Sequence, residues 1–264
     1  MNAYISAEAL KLSRQPSVLF WGFFAGPLIG IAIKIILEGL FVLRYGKIVS
    51  NGDEDIILSA AQSLAISGNP FVQLLFAIGV TSVFYVEYRY STLRNLVPRT
   101  YRTGIYGSKF AVCLLFFSGS LMLTALGDIA INIAISIASQ EGRHGVWVAN
   151  STVTLIIAYF LSVLELSVLT ALTAAVTILF RSMMPAVVLV FSLGMMSLLL
   201  QTYLGGLAAD IPLPLMAADS VRAWLTHKAD PHVAMIGFSV LTAWFLVLAI
   251  AGTLTFSRQE LAAE

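Results

Sequence analysis

The chain has 264 residues, 59% of them hydrophobic and only 11% charged, with a formal net charge of +1. A soluble domain carries about a quarter charged residues, so this balance excludes that class and marks a polytopic helical membrane protein. The single cysteine, Cys113, excludes an internal disulfide, and no nucleic-acid partner is expected, although a net charge of +1 by itself says little about partners.

Residues Met1 to Gln15 form a charged amphipathic lead-in, with Ile5, Ala9 and Leu12 on one helical face and Glu8, Lys11 and Arg14 elsewhere. Pro16 and Ser17 break into span one, about Val18 to Phe41, which is too long and lacks the cleavage site of a secretory leader. Lys34 and Glu38 stand one helical turn apart in it and share a face, so they partly neutralise each other. Snorkelling of Lys34 to the outer interface explains it without function. An outer loop follows, with Asp53, Glu54 and Asp55 exposed and Ile56 to Ile66 expected as a surface helix. Span two runs from about Pro70 to Tyr85.

Glu87 to Lys109 is a basic island between two apolar runs, holding Arg89, Arg94, Arg99, Arg102 and Lys109 against Glu87 alone. Thr92, Leu93, Leu96 and Val97 recur at helical spacing there and predict a short amphipathic helix along the membrane surface. Span three, about Ile105 to Ile135, is longer than one bilayer requires, and Asp128 and Asn132 are expected solvated near its outer end. Gln140 to Gly145 makes an outer turn, and span four, about Val148 to Phe180, holds Glu165 near its middle. A carboxylate at that depth faces protein or water, and a functional and a structural role both stand open for it. Arg181 and Pro185 make an inner turn before span five, about Ala186 to Leu204. Between Gly205 and Pro231 the apolar stretches Leu213 to Met216 and Val221 to Leu225 are too short to cross, and read as short re-entrant outer helices. Span six covers about Val233 to Phe256.

Six spans place both termini on one side. Nine basic residues then fall on that side and five opposite, which makes it the cytoplasmic side. No repeat links the two halves, no phosphate loop, zincin motif or nucleophile triad occurs, and His144, His227 and His232 lack ligand spacing. Met183, Met184, Met195 and Met196 read as flexible apolar filler. The chain is therefore expected to be no enzyme and to hold no cofactor or metal itself.

Glu87, Thr92-Leu93, Leu96, the basic cluster ending at Arg102, and Ile105-Tyr106 with Ser108-Lys109 resemble the cytoplasmic loop of type-2 ABC exporter permeases. Ser91 stands where that family has Gly, and Tyr101 where it has Ser. The close Phe256-Ser257-Arg258-Gln259-Glu260-Leu261 is similar to the family's aromatic-basic-acidic-Leu ending. Asn95 and Ile105-Tyr106 look closest to the bacitracin and lantibiotic self-immunity permeases. The resemblance implies one all-α transmembrane domain over residues 1–264. Its parts would be an interfacial elbow helix at 1–16, a coupling loop at 87–104 and an outer re-entrant segment at 205–231.

The resemblance also implies two permease chains, a homodimer among lipids, docked to two copies of a cognate ATP-binding cassette ATPase that carries ATP and Mg. ATPase coupling would fall to Glu87, Arg89, Thr92, Arg94, Arg99, Arg102, Lys11 and Arg14, with Glu87 opening the docking helix. Glu165, Lys34 and Glu38 would be path or buried polar residues. Spans one, two and five line the path in such permeases, and their Phe- and Leu-rich character favours an amphiphilic or lipid-like cargo such as a peptide antibiotic, exported across a prokaryotic plasma membrane. The alternatives are a secondary transporter or channel without an ATPase, and a passive anchor for an assembly or maturation complex.

Overall fold

Pro16, Pro70, Pro214 and Pro231 each open a helix, where the ring presets φ and the missing N–H has no intrahelical partner to lose. The computed structural model describes residues 2–45, 54–89, 102–138, 145–146, 148–204, 212–226 and 230–258. Over these residues the chain is almost wholly helical, and six helices are long and apolar enough to cross a membrane.

Helix α1 (Asn2–Ser13) precedes span one, which is built from α2 (Pro16–Leu19), a π-helical turn (Phe20–Phe24) and α3 (Ala25–Tyr45). Helix α4 (Ile56–Ser63) and a 3₁₀ turn (Leu64–Gly68) lead into span two, α5 (Pro70–Arg89). Spans three, four and five are α6 (Arg102–Ala138), α7 (Ala149–Phe180) and α8 (Met183–Leu204). Helix α9 (Pro214–Leu225) then precedes span six, α10 (Pro231–Arg258). The end of the bundle that carries α1 is called the near end and the opposite one the far end.

Side chains cap two of the helices that begin at the far end. Asp55 accepts from the Ile57 and Leu58 amides at 3.0 and 3.3 Å, starting α4, and Asn69 accepts from Phe71 N at 2.9 Å, starting α5. Glu54–Asp55 and Gly145–Val146 pair there as two-residue parallel strands. Arg181 takes φ 50°, the left-handed turn that ends α7, so span five starts at Met183 with Pro185 already inside its first turn.

Span four is the axis. It packs against α4, α9 and spans two, three, five and six, and buries Leu161, Leu166, Ala171, Ala174 and Ile178. Three of its hydroxyls are satisfied within the helix: Thr170, Thr173 and Thr177 donate to carbonyls four residues back at 2.6–2.7 Å. Spans one, five and six turn apolar side chains outward, among them Ile36, Leu40, Met184, Val188, Met235 and Val247. In water such surfaces would be a liability, whereas in hydrocarbon they are the ordinary exterior.

Helix α4 and its 3₁₀ turn do not lie on the surface. Ile57, Ala60, Leu64 and Ser67 are buried, because this segment wedges between spans three and four. Nor is the segment before span six two short helices: α9 is one continuous helix whose face Leu215, Ala218, Val221 and Leu225 packs on spans four and six.

Spans one and two meet backbone to backbone. A Cβ on Gly22, in the π turn, would lie 2.4 Å from Gly79 Cα, and one on Gly79 would lie 2.6 Å from Gly22 O. Gly79→Ala should therefore lower the unfolding temperature in detergent, as overpacking costs about 1–3 kcal/mol. Gly39→Ala, which meets open space, should leave it unchanged.

Candidate functional site

Among the described residues three polar clusters interrupt the apolar interior, and each ties a helix that does not cross the membrane to helices that do. The first lies at the near end and centres on Lys109, in the second turn of span three. Its ammonium reaches Glu87 at 3.1 Å and Glu8 at 3.0 Å, and donates to Val83 O at 2.9 Å. Lys11 pairs with Glu8 and reaches Glu87 at 3.4 Å. Two acids and two bases from α1, span two and span three thus close a neutral clasp. The side chains of Lys109 and Glu87 are each only 3% exposed, so the pair stands out of water, where a charge needs its partner. Burial pushes the Glu8 carboxyl up, but Lys109 and Lys11 outweigh that and hold it below its ordinary value. Burial likewise disfavours the charged Lys11, and Glu8 and Glu87 more than offset it.

The second cluster lies toward the far end of spans one and three. Lys34 reaches Asp128 at 2.5 Å, with Ser59 and Asn132 each at 3.3 Å. Ser59 and Asn132 both donate to Asp128 Oδ2, at 2.8 and 2.9 Å. Span one, α4 and span three are joined by a second neutral pair.

The third cluster lies near the midpoint of span four. Glu165 is ion-paired to Arg222 of α9, accepts from Ser67 Oγ at 2.7 Å and from Gln73 Nε2 at 3.4 Å. Arg222 also donates to Asp219 at 2.8 Å and Ser67 at 2.9 Å, and Gln201 of span five donates to Asp219 at 2.5 Å. Gly68 leaves the room: a Cβ there would sit 2.8 Å from the Arg222 guanidinium. Arg222 also forms part of the wall of a mostly apolar cavity of about 260 Å³ among α4, span four and α9.

These clusters rearrange the expectations from sequence. Glu87 does not open a docking helix: span two stays helical to Arg89, and Glu87 sits inside its last turn, buried against Lys109. The structure brings Glu87 and Lys11 together and adds Glu8 and Lys109, which the sequence reading left off the site. Thr92, Arg94, Arg99 and the amphipathic stretch around them lie outside the described residues, and Arg102 is the first residue of α6. Arg14 and Arg89 lie apart from the clasp, on a separate cavity.

Lys34 does not snorkel: its ammonium is held by Asp128. Asp128 and Asn132 are not solvated but buried, each 4% exposed. Glu38 keeps a half-buried position one turn on. Glu165 is fully partnered, chiefly by Arg222, an arginine that the length of its helix made read as an outer-loop charge. The signal in the sequence was a complementary pair: one acid in a span and one base in an apolar helix too short to cross. Cys113 is completely buried. Among the described residues no group of His, Cys, Asp and Glu is placed to hold a metal.

Comparison with known proteins bears on what this polar framework serves. No curated protein and no solved structure matched the chain. A family model described as ABC-2 family transporter protein matches residues 4–197, from α1 into span five. That match covers well over half the chain, including most of the three clusters. The six spans and this match agree, and the chain belongs to the ABC-2 family of transporter proteins, as a multi-pass permease.

Proposed function

We propose that this permease is the membrane half of an exporter driven by a separate ATP-binding cassette ATPase, which supplies the ATP and Mg chemistry. Members of the ABC-2 family work with such a subunit. The near end is the cytoplasmic one, since the basic excess gathers there. The observation that carries this reading is the clasp. An ATPase pressing on the segment after Arg89 pushes on the end of span two, and the buried Glu87–Lys109 pair passes that push to span three and, through Glu8 and Lys11, to α1. Thr92, Arg94, Arg99 and Arg102 belong to the docking surface on this account. Glu87 transmits the push instead of touching the partner.

The permease works as a homodimer in a prokaryotic plasma membrane, with the outward apolar faces of spans one and five available for the second copy and for lipid. The same faces favour an amphiphilic cargo, such as a peptide antibiotic of the bacitracin or lantibiotic kind. Movement follows the rigid-body pattern in which packed helices switch between two arrangements without melting.

Co-expression with the cognate ATPase should give a complex of two permease and two ATPase chains that survives detergent at low ionic strength and weakens with salt. Deleting residues 2–13 should loosen that complex while the six spans still insert. A permease that purifies without any ATPase, whatever the salt, would count against the proposal.

A further inference from the structure

A cavity of about 410 Å³ opens at the near end, between the end of α1, the first turn of span one, the last two turns of span two and the start of span five. Arg14 and Arg89 line it, with Ser17, Ser82 and Tyr85 as neutral polar groups, and none of its described lining residues is acidic. The clasp's carboxylates are spent on Lys11 and Lys109 and take no part in its wall. The cavity therefore favours an anion.

The surface beneath it is apolar and faces outward. On span two, Ser82, Tyr85, Val86 and Arg89 follow each other at helical spacing, and one turn deeper on the same face stands Ile78, exposed. On span one, Phe20 and Trp21 lie one turn below Ser17 and are 45% and 57% exposed. On span five, Met184 and Val188 follow Met183 and are 73% and 61% exposed. A basic cup at the membrane boundary thus stands above three apolar flanks. That is the shape of an amphiphile with an anionic head and hydrocarbon tails.

We propose that this cavity binds the phosphate headgroup of an anionic phospholipid, with Arg14 and Arg89 as its cationic ligands and the flanks of spans one, two and five along its acyl chains. The bound lipid joins the elbow of span one to span two at the level of the clasp. A neutral lipid head gains nothing from two guanidinium groups, and a free phosphate gains nothing from the flanks. The site distinguishes both from an anionic lipid. This inference stands apart from the exporter reading, because its test uses the permease alone.

The test is thermal unfolding of the purified chain in a neutral detergent, titrated with dioctanoyl phosphatidylglycerol, dioctanoyl phosphatidylcholine or inorganic phosphate. Phosphatidylglycerol should raise the unfolding temperature saturably, and the other two should not. Arginines at an anionic lipid surface contribute about fivefold each, so Arg14→Gln/Arg89→Gln should weaken binding roughly thirtyfold. Arg181→Gln/Arg258→Gln, which removes two other near-end arginines outside the cavity, should leave the affinity unchanged. Should the first double variant fail to fold, Arg14→Gln, at an exposed position, should still show a loss of about fivefold.

Equal stabilisation by phosphatidylcholine, saturable stabilisation by phosphate alone, or an equal loss in the control pair would each overturn the proposal, as would no lipid response at all.

Discussion

Arg222→Met should destabilise the protein by about 3–5 kcal/mol, the range measured when one partner of a buried ion pair is removed. Glu165 would be left with Ser67 and Gln73 as hydrogen-bond donors and no counter-ion, at the midpoint of a span. Helix α9 would lose its ion pair to span four and be held there by its apolar face alone. Adding Glu165→Gln should recover most of the loss, since the amide still bonds Ser67 and carries no charge to strand. Glu165→Gln alone should fall between, because Arg222 keeps Asp219, which is partly solvated. Thermal unfolding in detergent reads all three. An Arg222→Met protein as stable as the parent would show that the pair contributes no net stability.

Lys109→Met should be as damaging and should act at the other end. It removes the only buried cation of the clasp and leaves Glu8 and Glu87 facing each other, with the half-exposed Lys11 as their remaining partner. The expected cost is again about 3–5 kcal/mol, with α1 released from spans two and three. The double change Lys109→Met/Glu87→Met replaces a buried pair by apolar volume, a swap that is often neutral or stabilising. That variant should fold. On the proposed coupling role it should hydrolyse ATP with its ATPase yet transport little, which separates transmission of force from mere stability. Spin labels at Ser13 and Thr103, both exposed, would report whether α1 stays docked.

The spans were legible because hydrocarbon is the solvent: each is an apolar run of sufficient length, and Pro or a capping Asn marks several starts. The basic island was legible as the densest run of positive charge in the chain. What sequence did not reveal was pairing across elements. Lys34 read as the partner of Glu38, four residues away, while its ion-pair partner Asp128 lies 94 residues on. Asp128 and Asn132 share a face of span three one turn apart, at a depth that matches Lys34, but only tertiary packing decides that α4 covers them with Ser59. Glu87 read as a helix opener because the chain turns polar at that point. The helix runs through it because Lys109, in the next span, satisfies the carboxylate. Arg222 was missed as a site residue because a short apolar helix gives no sign of how deep it reaches.

The central claim is that movement of cargo through this permease is powered by ATP hydrolysed on a partner chain. Proteoliposomes holding the chain together with its ATPase, supplied with fluorescently labelled bacitracin, test it directly. ATP and Mg should drive vectorial movement of the peptide. The Lys109→Met/Glu87→Met permease should abolish that movement while hydrolysis continues, and a proton or sodium gradient without ATP should drive none. Vectorial movement by the chain alone, driven by an ion gradient and indifferent to ATP, would contradict the account.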